Sequence, residues 1–231
     1  MTVPARAPRT VGWVPFALIA LVVIPAVAGT VRLVDLAGGP HLLPADPRLS
    51  ASPVPVIVHI VGAVGYAVLG AFQFSTALRR RRPAWHRVAG RVLVILGLAV
   101  AFSALWMVQF YPPKPGTGAL TAGLRIAFGT GMATGLVLGV VAVRRGDVTA
   151  HRAWMTRAYA LALGAGTQVF TLGLGTPVLG TGESANGVLM GAAWLINLTV
   201  AEYVIRRPAR VPRTSRRGGR PRPRPSLRPD H

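Results

Sequence analysis

The chain has 231 residues, of which 52% are hydrophobic and only 14% charged. A soluble domain carries roughly 25% charged residues, so composition excludes an ordinary water-soluble fold and points to the membrane class. There is no cysteine, which excludes disulfides, thiolate metal sites and cysteine nucleophiles, and the net charge of +20 is almost wholly arginine, Lys114 being the one lysine.

The first apolar run is Val11 to Val34, behind a basic segment with Arg6 and Arg9. Ala26-Val27-Ala28 has the small-residue look of a leader cleavage site. The run continues past it, which favours a retained anchor, and cleavage would leave the later spans where they are. Asp35 to Pro53 reads as a polar, proline-containing loop. The second run, Val54 to Leu78, ends in four arginines and Pro83, which cannot continue a helix. The third, Val88 to Phe110, is stopped by Pro112 and Pro113. The fourth is Ala119 to Val143, ended by Arg144-Arg145-Gly146-Asp147. The fifth is Ala153 to Leu174, ended by Gly175 and Pro177, and the sixth is Gly187 to Ile205.

Each run is long enough to cross a hydrocarbon core of about 30 Å, and only helices satisfy their backbone groups there. The expectation is an all-α integral membrane bundle of about six transmembrane helices. A short N-terminal segment (1–10) precedes a six-helix domain (11–206). An Arg/Pro-rich tail (207–231) follows, too poor in apolar residues to build a core and therefore expected to be disordered. The basic loops alternate with loops nearly free of arginine, and the positive-inside rule puts both termini and the basic loops in the cytoplasm. The expected location is a bacterial inner membrane. The expected partners are the bilayer and anionic lipid headgroups at the basic loops and tail. Without aromatic residues interleaved for base stacking, the tail argues against nucleic acid. The sequence leaves the oligomeric state open.

Polar groups inside spans are costly and need a reason. One layer lies at the basic end. Trp85-His86-Arg87 with Gly90-Arg91 opens the third run, and His151-Arg152-Ala153-Trp154-Met155-Thr156-Arg157 opens the fifth. Glu202 and Asn197 lie in the sixth and Gln73 in the second. Arg87 and Arg91 share a helix face. Glu202 is the expected partner of Arg91 or Arg157, because an unpaired charge at that depth is expensive. A thinner layer, His59 and Arg125, lies toward the opposite end. A plain structural account covers most of this: arginines snorkel, tryptophans sit in the interface, and histidines bond neighbouring helices. The functional readings are an anion held between Arg91 and Arg157, a b-type haem with His86 and His151 as axial ligands, and a small-solute or proton transporter. A weak internal repeat (second-third and fourth-fifth runs, each with a His-Arg entry) is the transporter reading's main support. No catalytic constellation is recognisable, so enzyme activity stays open. Gly129, Gly131, Gly135 and Gly139 are spaced for close helix packing.

These residues together resemble the bacterial predicted-membrane-protein family known as domain of unknown function 2306. The resemblance rests on His59, Gly70-Ala71-Phe72-Gln73-Phe74, Trp85-His86-Arg87 with Gly90-Arg91, His151 to Leu161, Ala193 to Leu198, and Ala201-Glu202. It implies a multi-pass helical fold. It marks His59, His86, Arg87, Arg91, His151, Arg152, Arg157, Asn197 and Glu202 as motif positions, and implies no activity. The family often carries an arginine midway along the fifth span, where this chain reads Gln168-Val169-Phe170-Thr171-Leu172.

Overall fold

The computed structural model describes residues 12–207. The expectations for residues 1–10 and for nearly all of the Arg/Pro-rich tail lie outside that range. Among the described residues every regular element is helical: α1 (Val14–Leu36), α2 (Pro47–Ala51), α3 (Pro53–Gln73), α4 (Thr76–Arg81), α5 (Pro83–Phe110), α6 (Ala119–Arg144), α7 (Val148–Ala162), α8 (Gly164–Leu179) and α9 (Glu183–Arg206). Five helices (α1, α3, α5, α6 and α9) are each long and apolar enough to cross a membrane, and the bent pair α7 and α8, taken as one span, makes a sixth.

Proline supplies the starts of α1, α2, α3 and α5, where its missing N–H costs nothing. Three starts use side-chain caps: Asp46 accepts from the Arg48 amide to open α2, Ser75 from the Leu78 amide to open α4, and Asp147 from the Ala150 amide to open α7. The Ser75 cap corrects the second run. That run was expected to continue to Leu78, but the chain turns at Phe74 and the arginines 79–81 form a separate short helix.

The fifth run is corrected more deeply. It was expected as one span ending at Gly175 and Pro177. Instead the chain breaks at Leu163 and bends by 44°, and α8 runs on through Pro177 to Leu179. Gly164 allows the bend, because a Cβ there would lie 2.1 Å from Nε1 of Trp194. Asn197 bridges the break from α9. Its Nδ2 donates to the Ala160 carbonyl of α7 at 3.1 Å, and its Oδ1 accepts from the Thr167 hydroxyl of α8 at 2.8 Å. A carbonyl released by a helix break needs such a partner, more so in lipid.

Helices α3 and α5, α5 and α6, and α6 and α7 pack as neighbouring pairs, α1 lies on α3 and α8, and α9 lies on α6, α7 and α8. Helix α7 therefore sits against α6, α9 and α3, while α8 sits against α9 and α1. The core holds Tyr66, Leu93, Val100, Met132, Leu136, Ala158 and Tyr159. Gly70 and Gly97 admit aromatic rings: a Cβ on either would come within 3 Å of Tyr159 and Tyr66 respectively. The Tyr159 hydroxyl donates to the Ala67 carbonyl at 2.6 Å, tying α7 to α3. Large apolar side chains remain exposed along the outer faces, including Val88, Val92, Ile95 and Phe102 of α5. That is the pattern of a surface solvated by lipid.

Candidate functional site

The basic end gathers α4, the start of α5, the turn between α6 and α7, and the end of α9. Arg79, Arg80, Arg81 and Arg82 are exposed, as are Arg87, Arg91, Arg144, Arg145 and Arg152. Among the described residues none of these nine side chains forms an ion pair. Arg87 and Arg91 flank the apolar outer stripe of α5, where long cationic side chains reach for headgroups.

Arg157 behaves differently. Its Nε donates to Oε1 of Glu202 at 2.5 Å and its Nη2 to Oε2 at 3.1 Å. Its guanidinium also lies 4.9 Å from the Trp154 ring centre. Arg206 approaches the same carboxylate at 3.4 Å. Of the two expected partners for Glu202, Arg157 is the one that pairs. Arg91 and Arg157 are not brought together to clamp an anion. Helices α5 and α7 make little direct contact, and Arg157 turns toward α9 while Arg91 turns outward.

The two histidines at this end lie close enough for their charges to interact. Nδ1 of His151 meets the Gly139 carbonyl at 2.8 Å. A carbonyl only accepts, so Nδ1 carries the proton and Nε2 is left as the lone-pair nitrogen. Nδ1 of His86 and Nε2 of Gln73 are buried with no hydrogen-bond partner. Among the described residues no group of three or more His, Cys, Asp or Glu side chains is placed to hold a metal ion.

Helices α2, α3, α5 and α6 meet at the opposite end. Arg48 holds Asp46 through Nε at 2.7 Å and Nη2 at 2.5 Å, and reaches the Pro112 carbonyl at 3.3 Å. The Arg48 guanidinium keeps the Asp46 carboxyl below its ordinary range despite partial burial. The Tyr111 hydroxyl donates to the Ser52 carbonyl, and burial pushes its phenol up. Asn186 of α9 donates to the Gly116 carbonyl at 2.9 Å.

Beneath this lid, His59 of α3 places Nδ1 3.2 Å from both the Val100 carbonyl and the Ser103 hydroxyl. Arg125 of α6 lies within electrostatic reach of His59 and Arg48. Among the described residues it has neither an ion pair nor a hydrogen bond. One turn away on the same face, Thr121 is fully buried with its hydroxyl unpartnered. Sequence reading noted His59 and Arg125 but passed over Thr121 and Ser103. A lone threonine or serine in a span reads as packing, and only the helix register shows which face it occupies.

No curated protein and no solved structure matches the chain. A family model described as a predicted membrane protein (DUF2306) matches residues 56–205, from the first turns of α3 to the last turn of α9.

Proposed function

This chain belongs to the DUF2306 family of predicted membrane proteins, and from the charges at its arginine-rich end we propose that this end binds a phosphate-like anion, chiefly the headgroup of an anionic phospholipid. The observation that carries the reading is the contrast between Arg157, neutralised by Glu202, and Arg87 and Arg91, exposed on the lipid-side face without a carboxylate partner among the described residues. A basic side chain near an anionic surface gains about 1 kcal/mol, and two on one helix face act on the same headgroup. The positive-inside rule places this end at the inner leaflet.

The test is retained lipid. Protein purified in mild detergent from a membrane rich in phosphatidylglycerol is compared with an Arg87→Ala/Arg91→Ala variant by native mass spectrometry. Retention several-fold lower in the variant supports the reading. Equal retention removes it.

A b-type haem is the second reading, favoured by one observation. The Gly139 carbonyl fixes the His151 tautomer with Nε2 as the free lone pair, the way ligating imidazoles are held, beside a His86 whose Nδ1 has no partner. A sharp α-band in the reduced-minus-oxidised spectrum, lost in His86→Ala and in His151→Ala, supports it. A featureless spectrum from protein expressed with ample haem eliminates it.

A further inference from the structure

Arg125 stands on the inward face of α6. Met132, seven residues on and therefore nearly in line with it, belongs to the buried core. His59 bears the same relation on α3 to Tyr66, another core residue. Helices α3 and α6 both pack on α5. The His59 ring touches Val100 and Ser103 of α5, and a Cβ at Gly129 of α6 would meet Leu105 of α5 at 3.2 Å. These contacts put His59 and Gly129 level with the same turn of α5, so Arg125, four residues before Gly129, lies about 6 Å nearer the outer end, still within electrostatic reach of His59.

The bend in the fifth span bears on the same place. Helix α7 covers α6 and α3 in the basic half, but α8 turns to α1 and α9 and makes little direct contact with α3 or α6. The half holding His59 and Arg125 thus lacks the helix that closes the other half.

The charges there do not balance. Asp46 is engaged by Arg48. Asp35 is engaged by Arg32 at 2.7 Å and by His41. Glu183 lies against Gly118, about 10 Å along α6 from Arg125 at 1.5 Å per residue. An internal guanidinium without a carboxylate costs several kcal/mol in a membrane. One turn outward of it stands the buried, unpartnered Thr121 hydroxyl, and on its inner side a His59 whose proton is committed to Val100, leaving Nε2 as an acceptor.

We propose that Arg125 and Thr121, with His59 on their inner flank, form a binding site for an oxyanion, a carboxylate or a phosphate, at the end of the bundle opposite the arginine-rich one. Arg125 supplies a two-pronged donor, the natural partner of such a group. Thr121 adds a third donor. The site shares no residue with the arginine-rich end, so each reading stands or falls separately.

The test uses the full chain in nanodiscs of pure phosphatidylcholine, and in discs with one-third phosphatidylglycerol. The thermal midpoint is recorded with and without millimolar inorganic phosphate or acetate, for wild type and for Arg125→Gln and Thr121→Val. The expected result has two parts. An oxyanion raises the wild-type midpoint and leaves Arg125→Gln unmoved, and its apparent affinity for Thr121→Val is at least tenfold weaker. Without the anion, Arg125→Gln melts no lower than wild type, because an unpaired charge has been removed. Stabilisation by phosphate or acetate in neutral discs assigns the site to a free anion. Stabilisation in phosphatidylglycerol discs alone assigns it to a lipid headgroup. Equal responses in wild type and both variants overturn the site. So does an anion-free Arg125→Gln that melts well below wild type, which would make the arginine structural. If Arg125→Gln cannot be purified, Thr121→Val alone decides: an unchanged response overturns the proposal.

Discussion

Arg157 and Glu202 face each other across α7 and α9 as a fork, with Nε 2.5 Å from one carboxylate oxygen and Nη2 3.1 Å from the other. Each side chain is roughly a third exposed, so the pair is worth less than a fully buried one. Glu202→Gln leaves Arg157 without its anion and should destabilise by about 1–2 kcal/mol. Arg157→Gln should cost less, because Arg206 still reaches the carboxylate at 3.4 Å. Midpoints of thermal unfolding in one detergent measure both. A Glu202→Gln variant as stable as wild type would mean that the fork contributes nothing.

Gly166 touches α1 without a side chain between them. A Cβ there would lie 2.5 Å from the Leu21 carbonyl oxygen, a backbone atom that cannot rotate away. Gly166→Ala should push α8 off α1 and cost about 1–3 kcal/mol. Gly173→Ala is the control on the same helix, since nothing lies within 4 Å of that position. The ranking reverses only if α8 and α1 are not packed as described.

Asp46 gives a pH dependence outside the spans. Its hydrogen bonds from Arg48 hold its folded pKa below the ordinary aspartate range. A depressed carboxylate contributes stability above its unfolded pKa and loses it as pH falls through the folded value. The midpoint difference between wild type and Asp46→Asn should therefore be constant at neutral pH. It should shrink only below about pH 4. A difference that persists unchanged at pH 2 would deny the ion pair its role.

The arginine clusters predict an orientation. Reporters fused after Arg82 and after Arg145 should be cytoplasmic, and one after Pro115 external. The opposite pattern would move the arginine-rich site to the outer leaflet.

Much of the bundle was legible because span length and arginine clusters are properties of local sequence. The pairing of Glu202 with an arginine was legible too, since few anions were available for several cations in lipid. The break at Leu163 was not. Apolar residues run through it without a proline, and what permits it is Gly164 meeting Trp194 from another helix, with Asn197 supplying the hydrogen bonds. Asn197 therefore reads first as a staple for a broken span. The burial of Thr121 beside Arg125 was hidden for a related reason: it depends on which face of α6 meets its neighbours.

The Asn197 staple also fixes how the two segments of the fifth span relate to their surroundings. With its amide divided between Ala160 and Thr167, α9 grips both segments at the joint while α6 grips only α7 and α1 only α8. Displacing α1 therefore bears on α8 as well as on α3, while α7 is held by α6 and α9, so the Asn197 amide marks the point at which the fifth span exchanges one set of neighbours for another.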